Sequence, residues 1–420
     1  MGEKSRAAQE VKRIERIRLY PTKRQEQALH FMLDVTRHLY NAALQERKDA
    51  YRMRGVSVSA KQQNAELTAL RSATGRLDSR VAAVYRECED AVLRRLDLAM
   101  QAFFRRCKRG ETPGFPRFKP TARWKQLMFP HGDRALRFVA GKVAVPGLGP
   151  VKMRKGREVP EERGRAWIVE KNGRWYTCFE CERAAQPLPA TDKVLGVDRG
   201  VHVLAATSEG ELIRNGRMAN KHRRVVTGHA RALDKETVKD SKGRPTNWQD
   251  PKRIAAVRRL ARAKEREANA RLDALHKASR RIVDSADAIG LEDLNLRGMT
   301  RSAKGTAEKP GKNVAAKSGL NRSMLDASFG RLATLICEKA ESAVREVVSV
   351  DPRYSSQTCG RCLHVAAKSR LRRRFVCVAC GFTLHADVNA ALEIRRRAKL
   401  SLTSEVTPAE DAGRGARCAA

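Results

Sequence analysis

Three acids and four cysteines are the residues through which this chain could do chemistry. Asp198 ends the apolar run Val194–Val197 and precedes a turn at Gly200. Glu292 follows the apolar stretch Ala286–Leu291, and Asp387 opens the Ala-rich segment DVNAALEI. A carboxylate at the end of a buried element is costly unless a cation compensates it. Three of them brought together would repel one another, and divalent ions resolve that conflict. Mg²⁺ (or Mn²⁺) suits such a site, because it accepts a few carboxylates together with water and phosphate oxygens. Two such ions roughly 4 Å apart activate an attacking water and stabilise the leaving oxygen of a phosphodiester. The chemistry suggested is metal-assisted hydrolysis of a nucleic-acid strand.

Each acid also has a plain reading. Asp198 could form a turn, Glu292 or Asp293 could cap a helix, and Asp387 could be an N-cap. The spacings of 94 and 95 residues decide nothing. What favours chemistry is the joint placement on one strand–hairpin–helix–strand–helix succession. The sequence shows no Ser/His/Asp pattern, Walker loop or dinucleotide fingerprint. His202, His364 and His385 lie near the motifs without an assignable role, and Asp293 and Glu393 serve as controls.

The cysteines form two Cys-x-x-Cys knuckles, Cys359/Cys362 and Cys377/Cys380, separated by fourteen residues in CGRCLHVAAKSRLRRRFVCVACGFTLH. Four thiolates at this spacing meet the tetrahedral demand of a structural Zn²⁺. Cys178 and Cys181 repeat the spacing within WYTCFECE, but that segment alternates like a strand, so the two thiols point to opposite faces and share no metal. Cys88, Cys107 and Cys337 read as small core residues.

Lys and Arg outnumber Asp and Glu by 86 to 47 across 420 residues, a net charge of +39. Such an excess calls for a polyphosphate partner and would oppose compaction without one. No apolar run approaches the ~18 residues that span a bilayer, and the N-terminus MGEKSRAAQE lacks an apolar signal segment. The expectation is a cytoplasmic, nucleoid-associated bacterial or archaeal protein, with reduced or metal-bound cysteines. No membrane or small-molecule partner is implied, and a monomer is expected rather than a dimer.

The elements that must position these residues are an α/β multidomain set. VKRIERIRLY at 11–20 alternates as a half-buried strand, and Thr22 with Gln25 forms a capping-box helix start. Helices are predicted to about Arg54, at 60–72 and at 78–108. Short strands follow at Leu136–Val139, Lys142–Val145, Val151–Met153, Ala166–Glu170 and Arg174–Glu182, reading as a small antiparallel barrel that the first strand joins. Trp124, Trp167 and Trp175 could stack on bases, although core positions suit them better. Asp250 and Pro251 start a long helix. Residues 300–320 read as a mobile loop, 321–342 as a helix and Glu346–Val350 as a strand; the final helix is predicted to end near Arg397.

Taken together, GVDRGVHVLAATSEGE, GLEDLNLRGM and DPRYSSQTCGRC…FVCVACGFTLHADVNAALEI resemble the three split RuvC motifs and zinc ribbon of the TnpB family. These are transposon-encoded RNA-guided nucleases related to type V CRISPR effectors. LYPTKRQEQALHFMLDVTRHLYNAALQERKDAY, AFFRRCKRGETPGFPRFKP, VAVPGLGPVKMRK and NRSMLDASFGRLATLICEKA resemble other stretches of the family in its order, so the likeness covers about residues 11–397.

The resemblance implies a ribonuclease-H-like (RuvC) nuclease at 191–355 and 384–398, and a wedge β-barrel at 11–20 and 120–190. It places a helical recognition lobe at 21–119, a zinc ribbon that binds target nucleic acid at 356–383 and a disordered tail at 399–420. Asp198, Glu292 and Asp387 would be the catalytic, Mg²⁺-binding acids; Cys359, Cys362, Cys377 and Cys380 would hold Zn²⁺. The partners implied are a guide RNA and target DNA, the guide reading sequence by base pairing. A compact type V CRISPR effector and a non-cleaving RNA-guided repressor share this core and remain alternatives, though the survival of all three acids favours an active enzyme. Two departures stand out. Arg199 occupies a position frequently apolar in the family; on a strand it should point away from Asp198's face and do little harm. Leu363 replaces a glycine where a left-handed backbone is expected.

Overall fold

The computed structural model describes residues 10–73, 84–156, 159–306 and 308–404. Its backbone divides into two compact units, Glu10–Arg183 and a second beginning at Ala184.

In the first unit, strand β1 (Glu10–Tyr20) leads to helix α1 (Lys23–Arg54). The predicted capping box is present: Thr22 Oγ1 accepts from the Gln25 amide at 3.3 Å, and Gln25 Oε1 accepts from the Thr22 amide at 3.1 Å. Helices α2 (Ala60–Ala73) and α3 (Arg86–Lys108) follow. The predicted start of α3 at 78 falls within 74–83, outside the described residues. Strands β2 (Gln126–Phe129), β3 (Arg137–Val139), β4 (Lys142–Val145), β5 (Gly149–Met153), β6 (Ala166–Lys171) and β7 (Arg174–Ala184) complete an antiparallel sheet with β1.

Its order is β2-β6-β7-β1-β5-β4-β3. β1 thus joins the later strands, as its alternation requires. The order has two ends, however, and β2 and β3 are not paired to each other, so the described strands form a sheet and not the closed barrel expected. β2, unpredicted, is four residues long and offers little alternation to read. Trp124 and Trp175 are core residues, Trp124 Nε1 donating to the buried Thr36 hydroxyl at 3.0 Å; Trp167 is half-buried.

The second unit centres on a five-stranded sheet of order β10-β9-β8-β11-β12. Its strands are β8 (Val194–Arg199), β9 (Val203–Thr207), β10 (Leu212–Arg214), β11 (Ala288–Glu292) and β12 (Glu346–Val350). β11 is parallel to both β8 and β12, while β9 returns antiparallel to β8.

Helix α4 (Met218–Lys235), unpredicted, has no fully buried residue but carries a half-buried stripe, Met218, His222, Val226, His229 and Leu233, and packs on the long helix that follows. Helix α5 (Pro251–Asp284) begins with Asp250 accepting from the Lys252 amide at 2.8 Å. Within the stretch read as a loop, the described residues of 301–313 are non-helical, but helix begins at Val314, and the single helix expected is two, α6 (Val314–Ala327) and α7 (Phe329–Ala343), broken at Ser328 in the left-handed conformation. Helix α8 (Ala386–Ser404) passes the predicted end near Arg397, with Ala398 still buried; Lys399–Ser404 are therefore helical, and the rest of the expected tail lies outside the described residues. Among the described residues, no helix is long and apolar enough to cross a membrane.

Candidate active site and cysteine cluster

Strand alternation explains how the acids come together. In the parallel pair β8/β11, Gly196 lies beside Gly290 and Val197 beside Leu291. One step further, at the C-terminal ends of both strands, come Asp198 and Glu292. With a side-chain period of two, Gly196 and Asp198 share one face of the sheet with Gly290 and Glu292. Leu195, Val197, Ile289 and Leu291 turn to the other face, into a core with Leu275, Ile282, Leu332 and Ile336.

The glycine face is covered by α8, which packs on β8 and β11. Contact is backbone to backbone. A Cβ on Gly196 would stand 2.0 Å from the Ala391 carbonyl oxygen and 2.4 Å from the Arg395 nitrogen; one on Gly290 would meet Ala398 Cβ at 2.8 Å. The helix residues involved recur at i, i+4, i+7 and i+11 (Asp387, Ala391, Ile394, Ala398), a single stripe headed by Asp387. Two missing side chains on the strands therefore bring the third acid to the other two.

Burial pushes the carboxyl of Asp198 up to about 7, with the Glu292 and Asp387 carboxylates adding to the effect and the Arg370 and Arg199 guanidinia opposing it. Each of the other acids already has a partner. Glu292, 8% exposed, accepts a 2.5 Å hydrogen bond from the buried Ser355 hydroxyl. Asp387 pairs with Arg370 at 3.0 Å. Held this way, the three carboxylates are electrostatic neighbours but do not form one ligand cluster. Among the described residues, the group compact enough to hold an ion is the cysteine set.

Arg199 points away from Asp198, as expected, and has a structural role besides. It is only 8% exposed, and its guanidinium donates to the Glu292 carbonyl and, at 3.3 Å, to the Phe329 carbonyl. It ties the strand end carrying Glu292 to the start of α7. The two controls separate as well: Asp293 is exposed, while buried Glu393 is bound by Arg396 and Arg397 at 2.7–2.8 Å, whose hydrogen bonds hold its carboxyl below the usual range against the effect of burial.

The ribbon is a three-stranded sheet of β13 (Arg370–Leu371), β14 (Arg374–Val376) and β15 (Thr383–His385), with one knuckle in the segment before β13 and the other between β14 and β15. The Sγ atoms of Cys359, Cys362, Cys377 and Cys380 lie within 4.8 Å of one another. Cys359–Cys380 is 3.8 Å and Cys362–Cys377 is 3.5 Å. Leu363 and Gly381, each just after a knuckle's second thiol, have φ of 63° and 67°, so the leucine does sit where a glycine fits better. Asn389, missed in the sequence, is fully buried; it donates to the Thr358 carbonyl at 2.7 Å and accepts from the Gly360 amide at 2.9 Å, fastening the first knuckle to α8. Cys178 and Cys181 alternate in burial along β7 and form no cluster, as expected, whereas Cys107 is exposed on the last turn of α3 and not a core residue.

With this geometry in hand, comparison with known proteins is decisive. The chain is 32% identical over 304 residues to "Putative RNA-guided DNA endonuclease InsQ" of Escherichia coli (strain K12), covering 72% of each chain. The chain belongs to the TnpB family.

Another relative of this TnpB chain, "Putative RNA-guided DNA endonuclease" of Streptomyces pristinaespiralis, is 29% identical over 92% of this chain and 89% of its own. Family models match at 329–394 ("Cas12f1-like, TNB domain"), 175–303 ("Probable transposase") and 11–55 ("Helix-turn-helix domain"). The last range folds in this TnpB as one strand and one long helix, β1 and α1. In fold it is similar to the solved "Cryo-EM structure of the Cas12f1-sgRNA-target DNA complex", with a TM-score of 0.52 at 10% identity, covering 92% of this chain and 99% of the other.

One expected result concerns stability alone. Because Asp198 holds its proton more tightly folded than unfolded, its contribution is fully present at low pH and is lost as pH rises from about 4 through about 7. In chelator, Asp198→Asn should therefore melt above the wild type at pH 8, by the equivalent of about 2–4 kcal/mol, with the gap closing towards pH 5. Thermal melts of both proteins at the two pH values check this; a gap independent of pH would contradict it.

Proposed function

We propose that this protein is an RNA-guided DNA endonuclease of the TnpB type, which binds a guide RNA and cleaves target DNA by metal-dependent phosphodiester hydrolysis. The observation that carries the reading is geometric: Asp198 and Glu292 stand at the ends of the paired strands β8 and β11, and Asp387 heads the stripe by which α8 packs on both. A divalent cation is what relieves the repulsion among carboxylates gathered in this way. The names of its relatives and the contents of the similar complex supply the partners: RNA as guide and DNA as target. A net charge of +39 suits a hybrid whose backbone must be gripped along its length.

On this reading the five-stranded sheet with α8 is the RuvC-like nuclease domain, the seven-stranded sheet the wedge and α1–α3 the recognition lobe. Asp198, Glu292 and Asp387 offer hard oxygen donors and would hold Mg²⁺ or Mn²⁺. Bound there, the metal supplies an activated water and charge compensation at the leaving oxygen. The chain's own residues fix the donors: Ser355 orients the Glu292 carboxylate, Arg199 holds its backbone, and Arg370 balances Asp387 until a cation takes that role. The four cysteines would hold Zn²⁺. A tetrahedron with Zn–S bonds of about 2.3 Å has edges of about 3.8 Å; the Cys359–Cys380 and Cys362–Cys377 separations of 3.8 and 3.5 Å are close to that, and all four sulfurs lie within 4.8 Å of one another.

The test is to purify the full chain, sequence the RNA that accompanies it, and offer duplex DNA that matches or mismatches the variable segment of that RNA. One defined RNA species and Mg²⁺-dependent cleavage of the matching duplex alone are expected. A preparation without RNA, or equal cleavage of both duplexes, would overturn the proposal.

A further inference from the structure

The segment Gly110–Lys119 has no regular structure, yet it is fastened at three points. Arg106 Nη2 donates to the Gly114 carbonyl at 3.1 Å, and the Phe115 ring meets the edge of Phe103 at 5.1 Å. At its end, Asn41 on α1 takes both backbone groups of Lys119, donating to its carbonyl at 3.1 Å and accepting from its amide at 2.8 Å. Pro113 and Pro116 restrict the backbone further. The result is a strap held in a set path, not a loose connection.

What the strap displays is unusual. Its Phe115 and Phe118 are 41% and 44% exposed, and Phe104 on α3 is 51% exposed. Lys48 Nζ lies 5.1 Å from the Phe118 ring centroid, and on the same lobe Lys119 Nζ and the Arg95 guanidinium stand 5.4 and 4.8 Å from the centroids of the buried Tyr40 and Trp124 rings. Burial, and then the positive charges of Arg95 and Arg123, lower the pKa of Lys119. Among the described residues, none of Lys48, Arg95, Arg117, Lys119 and Arg123 forms an ion pair with a carboxylate. Clustered like charges beside exposed rings are unfavourable on their own. A ligand with phosphates for the cations and flat apolar faces for the rings relieves both costs.

We propose that the strap Gly110–Lys119, with Lys48 and Arg95, is a binding site for single-stranded nucleic acid. Phosphates lie on Lys119, Arg95 and Arg123, and an unpaired base stacks on Phe118. This rests on the reading of the chain as a nucleic-acid-handling protein and adds which surface takes an unpaired strand. A double helix, whose bases are already stacked, offers Phe118 nothing to cover it.

The experiment needs no cleavage, so it can fail while the nuclease reading stands, and the reverse. Nuclease-treated full-length protein is irradiated with a 4-thiouridine RNA, the corresponding 4-thiothymidine DNA strand, or the same DNA as a duplex, and the adducts are mapped by mass spectrometry. Adducts within residues 103–119 from a single strand, and not from the duplex, are expected; the stronger of the RNA and DNA arms identifies the natural ligand. Phe118→Ala should weaken single-strand binding about tenfold. Lys119→Gln should reduce the salt dependence of binding by about one ion. Melting temperatures of both variants should match the wild type. Adducts confined to other segments, equal labelling by duplex, or binding unchanged within twofold in both variants would overturn the site.

Discussion

Asp198→Ala is expected to reduce target cleavage at least about a thousandfold, equivalent to about 4 kcal/mol of transition-state stabilisation, with guide binding unchanged. If the proposed function holds, Glu292→Ala and Asp387→Ala should behave alike, because each acid would then supply oxygens to the same cationic site. The controls give this force. Asp293 adjoins Glu292 in sequence but is exposed, so Asp293→Ala should stay within about twofold of the wild type. Glu393 is buried and bound to two arginines, so Glu393→Ala should lower the melting temperature by stranding them, without a specific loss in the Mg²⁺ response. Cleavage of a matched duplex against Mg²⁺ concentration separates the cases. Retained activity in any of the three acid variants would remove that residue from the proposed site.

These residues could be read from sequence because each carries a local signal: an apolar run ending in an acid, or two thiols in a tight knuckle. The devices that assemble them lack such signals when taken singly. Gly196 and Gly290 each stand two residues before an acid, so Gly-x-Asp and Gly-x-Glu were visible as strings. Their meaning depended on knowing that the two strands pair in parallel with the glycines abreast and that a helix crosses there. The stripe Ala391, Ile394, Ala398 on α8 was readable as an apolar face, but not what it faced.

Ser355 and Asn389 illustrate the opposite difficulty. Both are polar residues buried by long-range contacts, Ser355 to a strand 63 positions earlier in sequence and Asn389 to a carbonyl 31 positions earlier, and nothing in their own neighbourhoods marks them. The role of Arg199 is hidden for a related reason. Alternation gave its direction correctly, but burial and its two carbonyl partners belong to the tertiary structure. Helix α4 does carry a helical stripe, Met218, His222, Val226, His229 and Leu233, but it is only half-buried and two of its five members are histidines, which blurs the apolar periodicity. The break at Ser328 has no Gly or Pro to announce it; there a serine takes the left-handed conformation that usually requires one.

Metal removal at the ribbon is expected to abolish cleavage as completely as losing an acid, by a different route. The ribbon's own core is tiny: Phe375 and Ala386, with Phe382 partly buried, packed on Cys359 and Cys377. So few apolar groups cannot hold three short strands, whereas structural zinc contributes on the order of 10 kcal/mol in comparable small domains. Ala386 is also the first residue of α8, and Asp387 follows it, paired with Arg370 from β13. Loss of the ribbon would therefore free the third acid while Asp198 and Glu292 stay on their strands. A chelator selective for zinc, or Cys377→Ser, should eliminate cleavage that added Mg²⁺ alone does not restore, and zinc resupply should rescue the chelated wild type but not the variant. Hydrogen exchange should show loss of protection in 356–390 with β8 and β11 still protected. If cleavage survives chelation with the ribbon unprotected, the ribbon does not position Asp387; if protection survives, the cysteines do not depend on a metal.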